Sequence, residues 1–235
     1  MPEPSRQPAS GRLQAYVSCA LTGIPDRTRH EIDATVSVVR QACASSRVSF
    51  DIYVPGDHTD PKRDSHVSSE DVFDVDRKRV KEADVLLLLG HAPSIGVGQE
   101  LNMAFESLLP VVFLVPAGRS LSRMARGVPL VSVEVPYGDD DELRWRLIEA
   151  LAGLRPRLVA RRSAVANLER VVVGARLKER RRQRGLSREQ VAEATGLTVR
   201  GVALLEDATD RRADPSLTQL RTLAALLGTT AGELV

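Results

Sequence analysis

Apolar positions in the first two-thirds of the chain follow two spacings, and their alternation predicts strands interleaved with helices. Leu13 to Ser18 (LQAYVS) reads as a first strand, and Glu31 to Ala44 as a helix with Ile32, Val36, Val39 and Ala42 or Cys43 on one face. Val48 to Val54 is a second strand, closed by Pro55-Gly56. Residues 57–69 are polar and aperiodic, which predicts a long loop over the carboxyl edge of a sheet, either a lid with binding groups or plain surface. Ser68 or Ser69 caps the next helix, which runs to about Ala83 with Val72, Val75 and Val80 inward. Val85 to Leu89, between Asp84 and Gly90, is too short to span a membrane and has the composition of a buried parallel strand. A loop containing Gly96 and Gly98 then opens a helix over 98–108, with Leu101, Ala104 and Phe105 as its inner face. Pro110 to Pro116 is a strand, Leu121 to Ala125 a short helix and Leu130 to Val135 a strand. The acidic run Asp139 to Glu142 suits the start of a helix that reaches about Leu154.

This alternation predicts a doubly wound α/β domain over residues 12–154, with a parallel sheet of the Rossmann/flavodoxin-like kind. Residues 155–167 read as a linker or a short connecting helix, and beyond them no strand pattern survives. Helices are expected over Leu168 to Arg184, Ser187 to Thr195, Thr198 to Glu206 and Ser216 to Leu227, with Thr229 or Thr230 capping a last turn through Leu234. The second domain, 168–235, is therefore all-helical.

Charge sharpens this division. The overall +2 conceals net −5 over residues 1–154 (17 basic, 22 acidic), +10 over 155–188 (12 basic, 2 acidic) and −3 over 189–235 (4 basic, 7 acidic). A positive stretch at a domain junction is a candidate polyanion contact or a solvated helix face. Cys19 and Cys43 are isolated, and His30, His58, His66 and His91 have no metal-ligand spacing, so neither a disulfide framework, a metal site nor a cofactor is expected. Residues 1–11 read as a disordered lead-in without an apolar export segment, and no run reaches transmembrane length, so a cytoplasmic protein with no membrane partner is expected.

Candidate chemistry concentrates in residues 84–106. A strand, a Gly-rich loop and a helix start form the usual ligand cradle of an open α/β sheet, because free N–H groups and the helix dipole favour anions. Glu100 is expected in the first turn of that helix, as a functional carboxylate or as one that only complements the terminus.

Two resemblances add to this reading. Gly185 to Glu206 (GLSREQVAEATGLTVRGVALLE) resembles the helix-turn-helix of Cro/C1-type (Xre-like) repressors: Ser187 and Gln190 as capping box, Val191 and Ala192 toward the core, Gly196 at the turn, Leu197 beneath it, Val202 and Leu205 as anchors, and a helix-ending Glu206. The resemblance implies double-stranded DNA as partner, with Thr198 and Arg200 at base edges and Arg181, Arg182, Arg184 and Arg188 on phosphates, bound as a homodimer. Leu204 stands where that family commonly carries a polar or basic residue.

Asp74 to Ala104, with Ala83-Asp84 and PSIGVGQEL (Pro93 to Leu101), together with the Tyr16 strand, resembles the nucleoside 2-deoxyribosyltransferase superfamily and within it the 2'-deoxynucleoside 5'-phosphate N-hydrolase branch. It implies Glu100 as the carboxylate that attacks the anomeric carbon, Tyr16 as the hydroxyl that orients it, and Asp76 as the carboxyl that assists the leaving base or binds the sugar. Ser94 falls where that branch replaces an aspartate. Its hydroxyl with the N–H groups of Gly96 and Gly98 would form an anion nest, where a carboxylate would repel phosphate. The first loop, Ser18 to Gly23, departs from the family pattern, with Ser18 and Thr22 available for phosphate or sugar contacts. The expected activity is N-glycosidic cleavage of a nucleoside 5'-monophosphate. A transcriptional regulator that senses a nucleotide without turnover, or an NAD-handling domain, would use the same pocket.

Overall fold

The computed structural model describes residues 11–166, 173–206 and 215–235. The chain divides into two compact units, Met1–Ala166 and Asn167–Val235. The lead-in expected at residues 1–11 falls, except for Gly11, outside the described residues, as do residues 168–172 of the first expected helix of the second unit. Among the described residues no helix is long and apolar enough to cross a membrane.

The first unit is the expected doubly wound fold. Five strands, β1 (Leu13–Ser18), β2 (Phe50–Tyr53), β3 (Val85–Leu89), β4 (Val111–Pro116) and β5 (Ser132–Tyr137), pair in parallel in the order β2-β1-β3-β4-β5. The helices in chain order are α1 (Asp26–Ala44), α2 (Ser69–Glu82), α3 (Ile95–Glu106), the short α4 (Arg123–Arg126) and α5 (Asp140–Ala166). Period-two alternation sorts β1 between two cores: Leu13, Ala15 and Val17 join the cluster built with α1 and α5, while Tyr16 joins the cluster of the α2 and α3 face. Because β1 and β3 are neighbours whose crossovers leave in opposite directions, a crevice opens at their carboxyl ends.

Several boundaries differ from the sequence reading for identifiable reasons. α1 begins at Asp26, with Pro25 at the N-cap, rather than at Glu31. In α2 the inward row is Val72, Asp76 and Val80, spaced by four; Val75 is exposed, so Asp76 faces the sheet where a valine was expected. β5 starts two residues later than predicted: Val111 donates its N–H to the Val131 carbonyl at 3.0 Å, and the paired ladder begins at Ser132.

The largest departure is α5, which passes through Pro156 and the expected linker to Ala166. A proline inside a helix costs about 3 kcal/mol. Burial and ion pairing offset it: the stripe Leu143, Leu147, Leu151 and Leu154 continues to Leu158, which is fully buried. Arg155 donates to the Val48 carbonyl. Arg161 donates to the carbonyls of Ser107 (2.6 Å) and Leu108 (2.9 Å) at the end of α3. Arg162 forms a bidentate pair with the buried Asp84, whose carboxylate also accepts the Gln14 N–H at 2.6 Å. These arginines of the basic stretch are thus committed inside the unit, which removes them from the expected polyanion contact.

The second unit packs α6 (Val173–Gln183), α7 (Arg188–Thr195), α8 (Val199–Glu206), α9 (Leu217–Leu226) and α10 (Ala231–Leu234) around Leu177, Val191, Val202, Leu205, Leu223 and Leu227. Ser216 and Thr230 cap α9 and α10. α6 crosses α8 at Gly174, where an added Cβ would lie 2.6 Å from the Leu205 carbonyl oxygen. Backbone cannot yield as a side chain can, so Gly174→Ala is expected to destabilise this unit by about 1–3 kcal/mol, readable as a lowered midpoint in thermal or urea unfolding; an unchanged midpoint would refute the close crossing.

Candidate functional site

Tyr16 and Ser18 are two apart on β1 and point to the same face of the sheet, toward α3. Glu100 projects back from α3 between them. Tyr16 donates its hydroxyl to Glu100 Oε1 at 2.7 Å, and Ser18 Oγ donates to Oε2 in a short hydrogen bond. Tyr16 is 0% exposed and Glu100 9%, so the carboxylate is stripped of bulk water and held at both oxygens by neutral donors. Burial raises its pKa and the nearby Asp76 charge adds to the rise. The Ser18 and Tyr16 hydrogen bonds oppose it, and the balance lies at about 7. The Tyr16 phenol is itself pushed far up by burial and by the Glu100 and Asp76 charges, so it stays a donor.

Asp76 reaches the same centre from α2. Burial lifts its pKa to about 6, held back in part by a hydrogen bond with Tyr16, and its Oδ1 is buried with no hydrogen-bond partner. Asp76 and Glu100 both line a cavity of about 690 Å³, large enough for a nucleotide-sized ligand. The expected trio of Tyr16, Asp76 and Glu100 is therefore together, with Ser18 as a fourth member. The sequence had offered Ser18 only as a phosphate or sugar contact, but its hydroxyl goes to the carboxylate.

The Gly-rich segment needs correction. Ser94 is the N-cap of α3 and makes no side-chain capping bond, so Gly96 and Gly98 lie inside the helix and Glu100 belongs to its second turn. Gly98 donates its N–H to the Ser94 carbonyl at 3.1 Å and is lost to an anion nest. The N–H groups of Ile95, Gly96 and Val97 precede the first intrahelical bond and remain, beside the Ser94 hydroxyl. Ser94, Ile95, Gly96 and Val97 line the cavity; Gly98 does not. A Cβ on Gly96 would meet only Ser94 Oγ at 3.6 Å, so glycine there keeps the cavity wall low rather than serving the backbone.

The opposite wall is the 57–69 segment, through Thr59, Pro61, Asp64, Ser65 and Val67. Asp60 ties it down, accepting from Arg29 Nη1 (2.7 Å) and from the N–H groups of Lys62 (2.8 Å) and Arg63 (3.1 Å). Arg29 also donates to the Leu21 carbonyl at 2.5 Å, linking the two loops that border the cavity. Tyr53 is the residue that sequence reasoning missed. It pairs in register with Tyr16, and their rings stack at 5.5 Å. His58 covers Tyr53 at 4.9 Å, and the Tyr53 hydroxyl is buried without a hydrogen-bond partner. The visible signal was a tyrosine at the carboxyl end of each of two adjacent strands.

In the second unit the capping box forms: Ser187 Oγ accepts the Gln190 N–H at 3.2 Å, and Gln190 Oε1 accepts the Ser187 N–H at 2.7 Å. Gly196 turns the chain at φ +70°, in the left-handed region. Glu206 is buried and accepts from Arg181 Nε (2.6 Å) and Nη2 (3.1 Å) and from Arg188 Nε (2.9 Å). Burial pushes its pKa up, but the two guanidinium groups outweigh that and hold it below the ordinary carboxylate range. Arg181, whose remaining Nη1 donates to the Leu186 carbonyl at 2.8 Å, is therefore a bracing residue and not the phosphate contact expected of it. Arg188 shares that brace, and Arg184 Nε is held by the Leu227 carbonyl at 2.9 Å. Arg182 is exposed. Thr198 Oγ1 accepts the Gly201 N–H at 3.0 Å, so its oxygen caps α8 instead of being fully available to a base edge.

The raised Glu100 pKa has a sign that can be tested. Its folded value, about 7, exceeds the ordinary 4.5, so the stability that the protonated form supplies is complete below 4.5 and is lost as pH rises through about 7. Glu100→Gln is expected to stabilise the first unit at pH 8, by up to about 3 kcal/mol, and to have little effect at pH 4.5. Equal effects at both pH values, in parallel melting curves, would contradict the buried-carboxylate assignment.

Residues 177–234 match the helix-turn-helix family model. None of the curated proteins matches the chain. Among solved structures the chain is similar to the CMP N-glycosidase BcmB of Clostridium botulinum, at 11% sequence identity over 58% of this chain and 98% of that one, with a TM-score of 0.45. It is also similar to a conserved protein from Enterococcus faecalis V583, at 15% identity over 59% of this chain and 99% of that one, with a TM-score of 0.47. With the capping box, the αL turn at Gly196 and the buried Glu206 in place, the C-terminal unit is a helix-turn-helix module joined to a five-stranded parallel α/β unit.

Proposed function

We propose that the α/β unit is an N-glycosidase acting on a nucleoside or deoxynucleoside 5'-monophosphate, and that the helix-turn-helix holds a homodimer of the chain on double-stranded DNA. The observation that carries the reading is Glu100: a buried carboxylate at a nucleotide-sized cavity, gripped by Tyr16 and Ser18 and accompanied by a second carboxyl, Asp76, also raised toward neutrality. Such a pair shares a single proton around neutral pH, and the reactive form is the one in which Asp76 holds it and Glu100 is ionised. The match of Tyr16, Asp76, Ser94 and Glu100 to the hydrolase motif supports the same choice.

In this mechanism the Glu100 carboxylate attacks C1' of the sugar as the C–N bond breaks, and the electron pair of that bond passes to the base. Asp76 gives the departing base a proton. Water then attacks C1' and yields its proton to Asp76 while the ester bond to Glu100 breaks, returning the carboxylate. The net change is nucleotide plus water to free base plus sugar 5-phosphate, and no cofactor enters. Tyr16 and Ser18 fix the nucleophile's orientation and help keep it ionised. The Ser94 hydroxyl and the first N–H groups of α3 receive the phosphate.

A ligand sensor without turnover is the second reading, favoured by the attached helix-turn-helix. Incubating the full-length protein with nucleosides, their 5'-monophosphates and NAD, with free base followed by chromatography, separates the two. Base release from monophosphates alone is expected, abolished in Glu100→Ala (at least about 10³-fold) and reduced about 10²–10⁴-fold in Asp76→Asn. Ser94→Asp should weaken monophosphate binding, and unchanged affinity would refute the phosphate assignment. No release from any compound, with nucleotide-dependent DNA binding, would leave the sensor.

Turnover should peak near neutral pH. Ser18→Ala removes a bond that lowers the Glu100 pKa, the higher of the two, so the alkaline limb of the kcat/KM profile should move to higher pH; an unmoved limb would mean that Glu100 does not ionise in the reaction.

A further inference from the structure

The outward face of α8 has a composition that decides what it can read. Val202, Leu205 and Glu206 are buried against the rest of the unit; Thr198 and Val199 are exposed, and Arg200, Ala203 and Leu204 are half-buried. Val199 is 41% exposed although apolar, and Ala203 follows it four residues on, along the same face. The helix, VRGVALLE, has no Asn or Gln to pair with adenine, and its one acidic residue is the buried Glu206. Thr198 spends its oxygen as acceptor for the Gly201 N–H. Arg200 is the only residue of the helix suited to a bidentate guanine contact.

A base pair presents one apolar group in the major groove, the C5-methyl of thymine. We infer that α8 reads DNA chiefly through thymine methyl groups, packed by Val199 and Ala203, with Arg200 marking an adjacent guanine. This rests on the proposal that the unit binds DNA. The surrounding charge suits that partner: Lys178 and the exposed Arg182 lie on α6, where they can meet phosphates and supply affinity without sequence information. An apolar reading face on a unit that carries these cations fits a methylated groove edge between phosphate backbones, and fits an acidic protein surface less well because it carries no hydrogen-bonding pattern.

Uracil in place of thymine removes the methyl and leaves every hydrogen-bonding group in place, so it isolates the contact. The full-length protein is used to select sites from a pool of randomised duplexes, and the best recovered site is resynthesised with uracil at each thymine in turn. The selected sites should hold a guanine beside one or more thymines, and uracil at those thymines should weaken binding about three- to fivefold per methyl. Val199→Ser, at an exposed position, should leave thermal unfolding unchanged, lower affinity for the thymine duplex and abolish the thymine–uracil difference at one position. Arg200→Ala should relax the guanine preference. Equal binding of thymine and uracil duplexes, or salt-sensitive binding with no selected sequence, would overturn this inference and leave DNA binding standing. Failure to bind any duplex at low salt would overturn both.

Discussion

A carboxylate taken out of water must be stabilised by the protein or protonated, and the position of Glu100 depends on how that demand is met. The donors come from one short strand. Residues two apart on β1 share a face, so Tyr16 and Ser18 can each hold one Glu100 oxygen without any loop being ordered for the purpose. Neutral hydroxyls offset desolvation only in part, which is why the group rests near neutrality and not at a surface carboxylate's value. The sheet order matters equally: with β1 beside β3, the helix that follows β3 passes over the end of β1.

The second unit buries a glutamate too, and the contrast explains the difference in role. Glu206 is met by two guanidinium groups, from Arg181 and Arg188, and is held firmly ionised. Charged partners on both oxygens make it a brace between α6, α7 and α8. Glu100 has no cation among its hydrogen-bond partners and lines a cavity. One glutamate is locked, while the other is poised to change its protonation or its bond partner.

Arginine shows the same dependence on placement. Arg155, Arg161 and Arg162 extend α5 past a proline by binding carbonyls and Asp84 of the first unit, and Arg181 is drawn into the Glu206 brace. Guanidinium forks suit both phosphate and helix-end carbonyls, so a run of arginines in sequence does not say which of the two it meets. The positive surface is therefore smaller than the charge count over 155–188 suggests.

Periodicity in the sequence was enough to determine the strand–helix alternation and the buried character of Val85 to Leu89, and the helix-turn-helix resemblance supplied the Ser187 cap and the apolar anchors Val191, Val202 and Leu205. These depend on local propensity and on which face must leave water, both of which are written in neighbouring residues. The family resemblance also singled out Tyr16, Asp76 and Glu100. Sequence could not show that Ser18 is their fourth member, that Tyr53 lies under Tyr16, that Asp76 occupies an inward row of α2, or that Gly98 spends its N–H within the helix. Nor could it show that α5 survives Pro156. Except for the Gly98 bond, which closes on Ser94 four residues back, these are settled by partners far away in the chain, 82 residues for Ser18 and Glu100 and 78 for Arg162 and Asp84. Local pattern can say that a hydroxyl, a carboxylate or a guanidinium is present; only packing decides which of them meet, and with how little water between them.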